Sequence, residues 1–282
     1  MEVIVAESAG FCYGVSRALD AVLKAAGTRG KPMFTLGPLI HNPQVIEKLA
    51  EQGVRSVRSM DEIPAGSIMV VPSHGVPIRV MEQARASGLE IVDVTCPFVR
   101  KVHRVAESLS NHGYQVVVLG DKGHTEVEGI MSVAGDDAIA VSEVDELKGC
   151  RLKQRVGLVA QTTQTTERYR RVAGELSGRA YEVRAYNTIC NATTDRQKAA
   201  VVVSQHVDVM LVVGGRNSAN TRRLAEICAE TGVPTHHVET ADEVDERWFT
   251  GAGKVGITAG ASTPDWIIEE VIRKVKGLSA AE

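Results

Sequence analysis

The sequence predicts an α/β protein of three similar lobes with mostly parallel sheets. Two observations support this class: short Val- and Ile-rich runs alternate with helical patterns, and one order of features recurs three times along the 282 residues. Near-continuous apolar strands joined by helices are typical of parallel sheets covered on both faces. We expect helices over 42–53 and 220–232, and strands over 2–8, 32–37, 67–73, 90–95, 115–120, 156–161, 181–189, 207–214 and 254–260.

The composition of the chain narrows the range of possible functions. The net charge of −3 and an aromatic content of 4% do not favour a nucleic-acid surface or an acidic membrane as the main partner. No apolar run reaches the ~18 residues of a membrane span, and the first residues do not resemble a signal peptide. These features predict a cytoplasmic protein. Five cysteines at uneven spacings do not indicate a disulfide framework.

The repeat begins at three cysteines. Cys12, Cys96 and Cys190 each follow an apolar strand and precede a helical pattern. A second polar residue follows 29, 28 and 28 residues later, after a strand that ends in Gly; these are His41, His124 and Ser218. A third strand in each unit then ends beside His74, Thr162 and Ser262. The repeat therefore predicts three α/β lobes over 1–96, 97–190 and 191–282.

The lobes are expected to lie about a pseudo-threefold axis around a central cavity. Ligands of open parallel sheets bind at the carboxyl ends of the strands, so each lobe would supply one cysteine and two polar side chains. An acidic pair also recurs, as Asp61-Glu62, Asp145-Glu146 and Asp242-Glu243. Carboxylates in the first turn of a short helix usually stabilise that turn, so we assign these pairs a capping role.

The shared setting of Cys12, Cys96 and Cys190 predicts metal ligation. A thiolate near a helix N-terminus is stabilised by the partial positive charge there. Three thiolates suit a 4Fe–4S cluster with one iron that has no protein ligand and is open to substrate. Cys150 and Cys228 lack this context; we expect a surface turn for Cys150 and the core for Cys228.

The remaining polar residues suit an anionic ligand. Imidazole, hydroxyl and amide groups donate hydrogen bonds to phosphate oxygens, and helix N-termini add backbone donors. Metal ligation by these histidines is a second possibility. Glu126, close to His124, could donate a proton if a closed cavity raises its pKa; a solvated loop carboxylate is the alternative. This polar set comprises His41, His74, His124, Thr162, Ser218, Asn220 and Ser262.

Nine motifs carry a family resemblance. AGFCYGVSRAL, GPLIHNPQV, PSHGVP, DVTCPFV, GHTEVEG, QTT, NTICNATTDRQ, NSANTRRL and TAGASTPDW occur in this order between Ala9 and Trp266. Together they resemble the 4-hydroxy-3-methylbut-2-enyl diphosphate reductases, the iron–sulfur enzymes of the last step of the methylerythritol phosphate route to isoprenoids. The resemblance spans nearly the whole chain.

The resemblance implies a role for each matching residue. Cys12, Cys96 and Cys190 would bind a central 4Fe–4S cluster, and Glu126 would supply a proton. Thr162 would lie near the substrate hydroxyl. The substrate, mainly its diphosphate, would bind to His41, His74, His124, Ser218, Asn220 and Ser262.

Two features depart from the family pattern or leave its register open. Ala219 stands where the family often has a hydroxyl side chain, which leaves only a backbone contact at that position. The repeated QTTQTT segment lets Thr162 and Thr163 compete with Thr165 and Thr166, and we prefer the first pair because it directly follows the strand.

The implied reaction is a two-electron reductive dehydroxylation that yields isopentenyl and dimethylallyl diphosphate. The resemblance implies a ferredoxin or flavodoxin as the external electron donor. Two other functions remain open. One is a non-redox protein that binds a phosphorylated metabolite and has a structural zinc on three cysteines and one histidine. The other is an iron–sulfur dehydratase, which would need no net electron input.

Overall fold

A computed structural model describes residues 1–279, which contain twelve strands and nine α-helices. The strands are β1 Glu2–Val5, β2 Met33–Leu36, β3 Val54–Val57, β4 Ile68–Val71, β5 Glu90–Asp93, β6 Gln115–Leu119, β7 Ile139–Val141, β8 Arg155–Ala160, β9 Glu182–Ala185, β10 Val209–Val213, β11 Thr235–Val238 and β12 Lys254–Ala259. The helices are α1 Tyr13–Arg29, α2 Pro43–Glu51, α3 Ile78–Ala86, α4 Pro97–Asn111, α5 Thr125–Met131, α6 Thr166–Arg179, α7 Asn191–Ser204, α8 Ala219–Glu230 and α9 Asp265–Ser279.

The strands form three parallel sheets of four, and all three share one strand order. The orders are β5-β4-β2-β3, β9-β8-β6-β7 and β1-β12-β10-β11. In each sheet, the edge strand named first directly precedes one of the three repeated cysteines. The predicted class of three α/β lobes with parallel sheets is therefore confirmed.

The first strand lies in a different sheet from the one the repeat predicts. The predicted first lobe, 1–96, contains β1, but this strand pairs with β12, with Glu2 opposite Lys254. Because β5 and β9 are the edge strands of the other two sheets, β1 completes the third sheet in the same position. Each sheet thus has, at one edge, the strand that precedes a cysteine. For the third sheet this strand comes from the start of the chain, so the order of the repeated elements is circularly shifted relative to the chain. The boundaries at residues 96 and 190 stay a prediction.

All nine predicted strands are present, and three further strands, β3, β7 and β11, were not predicted. Each of the three lies at the sheet edge opposite the strand that precedes a cysteine. All three are short: VRSV and THHV are at least half polar, and IAV has only three residues, so none of them shows a long apolar run. Both predicted helices, 42–53 and 220–232, are confirmed as α2 and α8.

The chain forms two compact units. The first contains residues 1–16, 41–45 and 191 onward, and the second contains 17–40 and 46–190. The first therefore holds the sheet of β1 and β10–β12, whose core includes Leu211, Ile257 and Val271. The second holds the other two sheets. The expected threefold arrangement around one central cavity stays a prediction.

In the second unit, both faces of the β6–β9 sheet are covered by helices. Val102, Ala106 and Leu109 of α4 pack on one face with residues of α5. Tyr169, Val172 and Leu176 of α6 pack on the other. This two-sided burial explains the unbroken apolar sequence of β6 and β8. In the described part of the chain, no helix is both long and apolar enough to cross a membrane.

Candidate functional site

The three repeated cysteines have the same local geometry. Cys12, Cys96 and Cys190 each lie immediately before the first residue of a helix, α1, α4 and α7 respectively. The backbone N–H of each donates to a carbonyl two residues beyond the neighbouring strand: Ala261, Ser73 and Thr162, at 3.1, 2.9 and 3.0 Å. Each is half-buried, and none is in a disulfide. The repeat therefore presents three equivalent thiols at three helix starts.

Three glycines at equivalent places in the three sheets begin the turns that lead to the second repeated polar residue. The N–H groups of Gly37, Gly120 and Gly214 donate to the last residue of the neighbouring strand, at 2.8, 2.8 and 2.9 Å. Four residues after each glycine lie His41, His124 and Ser218, in the loop that begins the next helix. His124 and Ser218 are the N-cap residues of α5 and α8. The sequence repeat at this position therefore reflects the same turn in each sheet.

In the second unit, Glu126 and Thr162 form a buried pair. Glu126 is 3% exposed and Thr162 is 8% exposed. The Thr162 N–H donates to Glu126 Oε1 at 2.7 Å, and the Thr162 hydroxyl lies 2.9 Å from Glu126 Oε2. Both carboxyl oxygens thus have a protein partner. The same Thr162 accepts the hydrogen bond from Cys190 N–H through its carbonyl.

Burial raises the pKa of Glu126 to about 7, because a carboxylate loses its hydration in this enclosed position. The two hydrogen bonds from Thr162 lower the pKa and offset part of this effect, while the nearby Asp121 raises it further. The expected proton donor therefore holds its proton in a substantial fraction of molecules at neutral pH. The alternative of a solvated loop carboxylate is wrong.

Two histidines lie near this pair. His124 Nδ1 accepts a hydrogen bond from the Glu126 N–H at 3.1 Å. In that geometry Nδ1 carries no proton, so the neutral ring has its N–H at Nε2. The ring centroids of His74 and His124 are 6.4 Å apart and the rings are nearly perpendicular. The second unit thus brings together His74, His124, Glu126 and Thr162.

In the first unit, α8 begins with Ser218 and the buried Asn220. The Ser218 hydroxyl accepts from the Thr221 N–H at 3.3 Å. Asn220 is 5% exposed, and within residues 1–279 neither its Oδ1 nor its Nδ2 has a hydrogen-bond partner. A buried amide with no partner is costly, so native proteins usually satisfy it. Its presence at a helix N-terminus points to a polar ligand that supplies the missing bonds.

The other two residues of this group, His41 and Ser262, lie together. The Ser262 hydroxyl donates to the His41 carbonyl at 3.2 Å. Gly215 approaches the same carbonyl so closely that a Cβ at this position would lie 2.5 Å from the oxygen. Any larger residue would displace the His41 backbone, which explains the second glycine of the VVGGRNS segment.

The structure distinguishes three of the four competing threonines of the QTTQTT segment. Thr162 contacts Glu126, as described above. Thr165 instead caps α6, accepting from the Arg168 N–H at 3.1 Å, and Thr166 is the first residue of that helix. The register that we prefer, with Thr162 at the site, stays a prediction.

The acidic pairs have the expected capping role. The Glu of each pair accepts a backbone N–H four residues earlier: Glu62 from Arg58, Glu146 from Ser142 and Glu243 from Glu239, at 2.9, 3.3 and 3.0 Å. Cys228 is fully buried in the core of the first unit, as predicted. Cys150 is half-buried directly after a short 3-10 helix, and its thiol donates to the Glu146 carbonyl.

Three supporting residues were not predicted. Gln161 Oε1 accepts from the Asp121 N–H at 2.8 Å and so links the loop before His124 to the strand end before Thr162. Arg196 is buried and donates to the Gly10 carbonyl at 2.8 Å, which orders the loop before Cys12. Asp121 directly follows the repeated Gly120, and this position was the signal that could have identified it.

The donor set fits an iron–sulfur cluster in its chemistry. Three reduced cysteines at equivalent helix starts are the usual thiolate ligands of such clusters. Over the described residues, no group of three or more His, Cys, Asp or Glu side chains surrounds a point where a single metal ion could bind.

Comparison with known proteins gives a consistent result. A family model described as "LytB protein" matches residues 3–276. The chain is 50% identical over 275 residues to the 4-hydroxy-3-methylbut-2-enyl diphosphate reductase of Pelobacter propionicus, with 98% of each chain covered. It is 46% identical over 282 residues to the reductase of the same name from Geobacter metallireducens, covering 100% of this chain and 99% of that one.

Solved structures are similar over the same length. One is a structure of (E)-4-hydroxy-3-methyl-but-2-enyl diphosphate reductase, described as the terminal enzyme of the non-mevalonate pathway. It is 41% identical, with a TM-score of 0.69, and the match covers 98% of this chain and 100% of that one. The other, an E-1-hydroxy-2-methyl-but-2-enyl-4-diphosphate reductase from Plasmodium falciparum, is 26% identical, with a TM-score of 0.92 and coverage of 96% and 87%.

Proposed function

Because the chain belongs to the LytB protein family, we propose that it reduces (E)-4-hydroxy-3-methylbut-2-enyl diphosphate to isopentenyl and dimethylallyl diphosphate. The balanced reaction consumes two electrons and two protons, breaks the allylic C–O bond and releases one water. The observation that carries the proposal is the full-length match to reductases of this name, 50% identical in one of them. The buried Glu126–Thr162 pair supports it independently.

The family is one of iron–sulfur enzymes, and the finer description of the cofactor is our proposal. We propose a single 4Fe–4S cluster with Cys12, Cys96 and Cys190 as its three protein ligands. When bound, such a cluster supplies electrons and an open iron as a Lewis acid for the hydroxyl group. The three cysteines, each immediately before the first residue of a helix, would hold it.

Glu126 is the proposed proton donor. Its proton is retained near neutral pH because burial raises the pKa to about 7. The Thr162 hydroxyl, 2.9 Å from Oε2, can accept that proton's hydrogen bond while donating its own to the substrate oxygen. This pair would protonate the departing hydroxyl so that it leaves as water.

Diphosphate binding is proposed for the remaining polar residues. His124, with its N–H at Nε2, donates without carrying a net charge. Asn220 has two buried atoms that lack partners within the described chain, and its Nδ2 suits a phosphate oxygen. The helix N-terminus at Ser218 adds backbone donors. The proposed substrate-binding set is His41, His74, His124, Thr162, Ser218, Asn220 and Ser262.

A ferredoxin or flavodoxin is the proposed electron donor, and a cytoplasmic location remains a prediction. Neither a zinc-binding metabolite protein nor a dehydratase is supported by the names of the relatives, all of which are reductases. A dehydratase would also have no use for an external reductant.

The proposed function is tested by anaerobic turnover. The purified chain is reconstituted with iron and sulfide, both are counted, and the diphosphate substrate is added with and without dithionite. We expect iron and labile sulfide in near-equal amounts and both five-carbon diphosphates only when reductant is present. Zinc without sulfide would favour the metabolite-binding alternative, and turnover without reductant would favour the dehydratase.

Individual cysteine variants test the ligand set. Cys12→Ser, Cys96→Ser and Cys190→Ser should each lose most of the cluster's visible absorbance, because serine is a poor replacement for a thiolate ligand. Cys150→Ser is the matched control, since Cys150 lies outside the repeat, and it should keep full absorbance. Full absorbance in any of the first three variants would remove that cysteine from the set.

A further inference from the structure

A basic groove lies along α4 in the second unit. It has a volume of about 310 Å³, and its lining includes Lys101, Arg104, Ser108, His112, Arg184 and Tyr186. Relative to Lys101, the α4 residues of this set lie at i, i+3, i+4, i+7 and i+8, so they form a single face of the helix. Arg184 and Tyr186, from the end of β9 and the segment after it, form the opposite wall. None of the lining residues is acidic.

The positive charge of the groove is largely uncompensated. Lys101 and Arg104 are exposed, and among residues 1–279 neither has an ion-pair partner. Arg184 shares Glu182 with Arg155, at 3.4 and 3.0 Å. The whole chain carries a net charge of −3, so this concentration of positive charge is local and opposite in sign to the average.

Aromatic side chains are exposed beside the charges. Phe98 is 41% exposed and Tyr186 is 44% exposed. Phe98 lies one turn before Lys101 and continues the same helix face. Exposed aromatic groups within a charged surface are typical of protein–protein interfaces, where Tyr, Phe and Arg are enriched.

The three repeated helices provide an internal comparison. The first eight residues of α4 contain Arg100, Lys101 and Arg104 and no acidic residue; Arg100 pairs with Asp93 at 2.9 Å, which leaves Lys101 and Arg104 as the charges of the groove. The equivalent stretch of α1 balances Arg17 with Asp20. That of α7 has Asp195 with Arg196 and Lys198, and Arg196 is buried. The basic face is therefore not required by the repeated fold but is specific to one of its three copies.

One end of the groove approaches Cys96 along α4, and Cys96 and Cys190, two of the proposed cluster ligands, belong to the same unit as the groove. Lys101 is five residues after Cys96 in the helix that Cys96 begins, a rise of ~7.5 Å along the axis, and Arg104 is ~12 Å along it. Tyr186 is four residues before Cys190 in the chain. At its Lys101 end, a protein seated on this face would lie within about two helical turns of Cys96 along α4.

We propose that this face of α4, with Arg184 and Tyr186, is the docking surface for an acidic one-electron carrier protein. The inference rests on the proposed function, because a reductase needs two electrons that its own side chains do not supply. The carrier would dock twice per turnover, and each time it would be oxidised by one electron. Opposite charges accelerate such encounters and orient the partners.

The test is the charge reversal Lys101→Glu with Arg104→Glu in the reconstituted holoenzyme. Affinity for a purified acidic ferredoxin is measured directly without substrate, and its KM is measured with substrate. We expect the Kd and the KM to rise about tenfold or more at ~0.02 M salt, with a much smaller difference at ~0.5 M salt because of screening. Turnover with dithionite, which needs no docking surface, should be unchanged.

Arg170→Glu with Arg171→Glu is the matched control. Both arginines are exposed on α6, which packs on the opposite face of the same sheet, and the change in charge is identical. This control should bind ferredoxin like the unchanged chain. The double variant Lys101→Ala with Arg104→Ala removes the two charges without reversing them and should give an intermediate Kd. It keeps the proposal testable if the charge-reversed chain does not fold.

Three results would overturn the docking assignment. They are an unchanged ferredoxin Kd in the double reversal, an equal loss in the α6 control, and an equal loss of dithionite-driven turnover in the α4 variant. Failure of the proposed function is distinguishable from all three. In that case the unchanged chain would show no turnover with either reductant, while the binding measurement would still report on the surface.

Discussion

Glu126 and Asn220 occupy the same position in two lobes but differ in how the protein treats them. Each lies six residues after the repeated glycine, two residues beyond the N-cap of its helix, and each is almost fully buried. Both oxygens of Glu126 have partners in Thr162, whereas neither polar atom of Asn220 has one among the described residues. The protein thus supplies hydrogen-bond partners to both carboxyl oxygens of Glu126, whereas the described residues supply none to the amide of Asn220.

The difference teaches how a repeated scaffold acquires separate roles. A carboxyl group that the protein both buries and holds by hydrogen bonds has its proton affinity set before substrate arrives. An amide left without partners gains its hydrogen bonds only from a ligand, so it contributes to affinity. We therefore assign proton transfer to the first position and substrate binding to the second, and the following predictions test that division.

The largest expected effect is that of Glu126→Gln on turnover. Glutamine keeps the size and an acceptor for the Thr162 N–H but cannot donate an acidic proton. We expect kcat to fall by about 10²–10⁴-fold, the usual contribution of a positioned acid, while the substrate Kd stays within about threefold. Single-turnover kinetics and equilibrium binding measure the two quantities, and wild-type turnover would remove Glu126 from the acid role.

Asn220→Ala should show the opposite pattern. Loss of a hydrogen bond to a charged ligand costs about 1.5–3 kcal/mol, so the substrate Kd should rise about ten- to a hundredfold. The bound substrate should still turn over at a rate within about tenfold of the unchanged chain. Asn111→Ala, at the exposed end of α4, is the control and should leave the Kd unchanged; an unchanged Kd in Asn220→Ala would contradict the binding role.

A third prediction concerns stability and pH. The folded-state pKa of Glu126 is about 7, above its ordinary value of 4.5, so the folded chain binds this proton more tightly than the unfolded chain. Its contribution is fully present below pH 4.5 and is lost as the pH rises to about 7. The loss amounts to about 3 kcal/mol of the free energy of unfolding. Glu126→Gln should not show this loss, because glutamine does not titrate.

Thermal unfolding from about pH 4.5 to 8, followed by circular dichroism, measures this difference. The melting temperature of the unchanged chain should fall relative to that of Glu126→Gln as the pH rises. Parallel curves for the two chains would mean that the pKa of Glu126 is not raised in the folded state.

The smallest effect is expected from Asp121→Asn. Asp121 adds to the raised pKa of Glu126 through its negative charge, and asparagine removes that charge while keeping the oxygen that accepts from Gln164 at 3.1 Å. Turnover should fall as the pH rises, because Glu126 then loses the proton that it donates. In Asp121→Asn this fall should begin at a lower pH than in the unchanged chain. Asp136→Asn, which neutralises an exposed carboxylate, should leave the pH profile unchanged. An unshifted profile in Asp121→Asn would argue against this electrostatic contribution.

Much of the fold and of the candidate site could be predicted from the sequence, because the repeat brings polar residues to equivalent turns. The nine apolar strands, the three cysteines and the positions of His41, His124 and Ser218 follow from periodicity and spacing. The pairing of β1 with β12 did not, because parallel pairing between the two ends of a chain leaves no local pattern. The strands β3, β7 and β11 were missed because sheet neighbours, not apolar runs, determine them.

The finer features of the site depend on contacts that spacing does not encode. The pairing of Glu126 with Thr162 joins residues 36 apart in the chain, and its effect on the pKa depends on burial. The absent partners of Asn220 are likewise a property of the folded surroundings. Sequence motifs therefore identify which residues take part, while the packing decides how each one acts.

The measurement that most directly tests this account is the paired comparison of substrate Kd and single-turnover rate in Glu126→Gln and Asn220→Ala, under identical anaerobic conditions. The account predicts a crossed result: Glu126→Gln binds normally and reacts slowly, and Asn220→Ala binds weakly and reacts once bound. If both variants lose affinity and rate in the same proportion, the two positions do not have separate roles and the account is wrong.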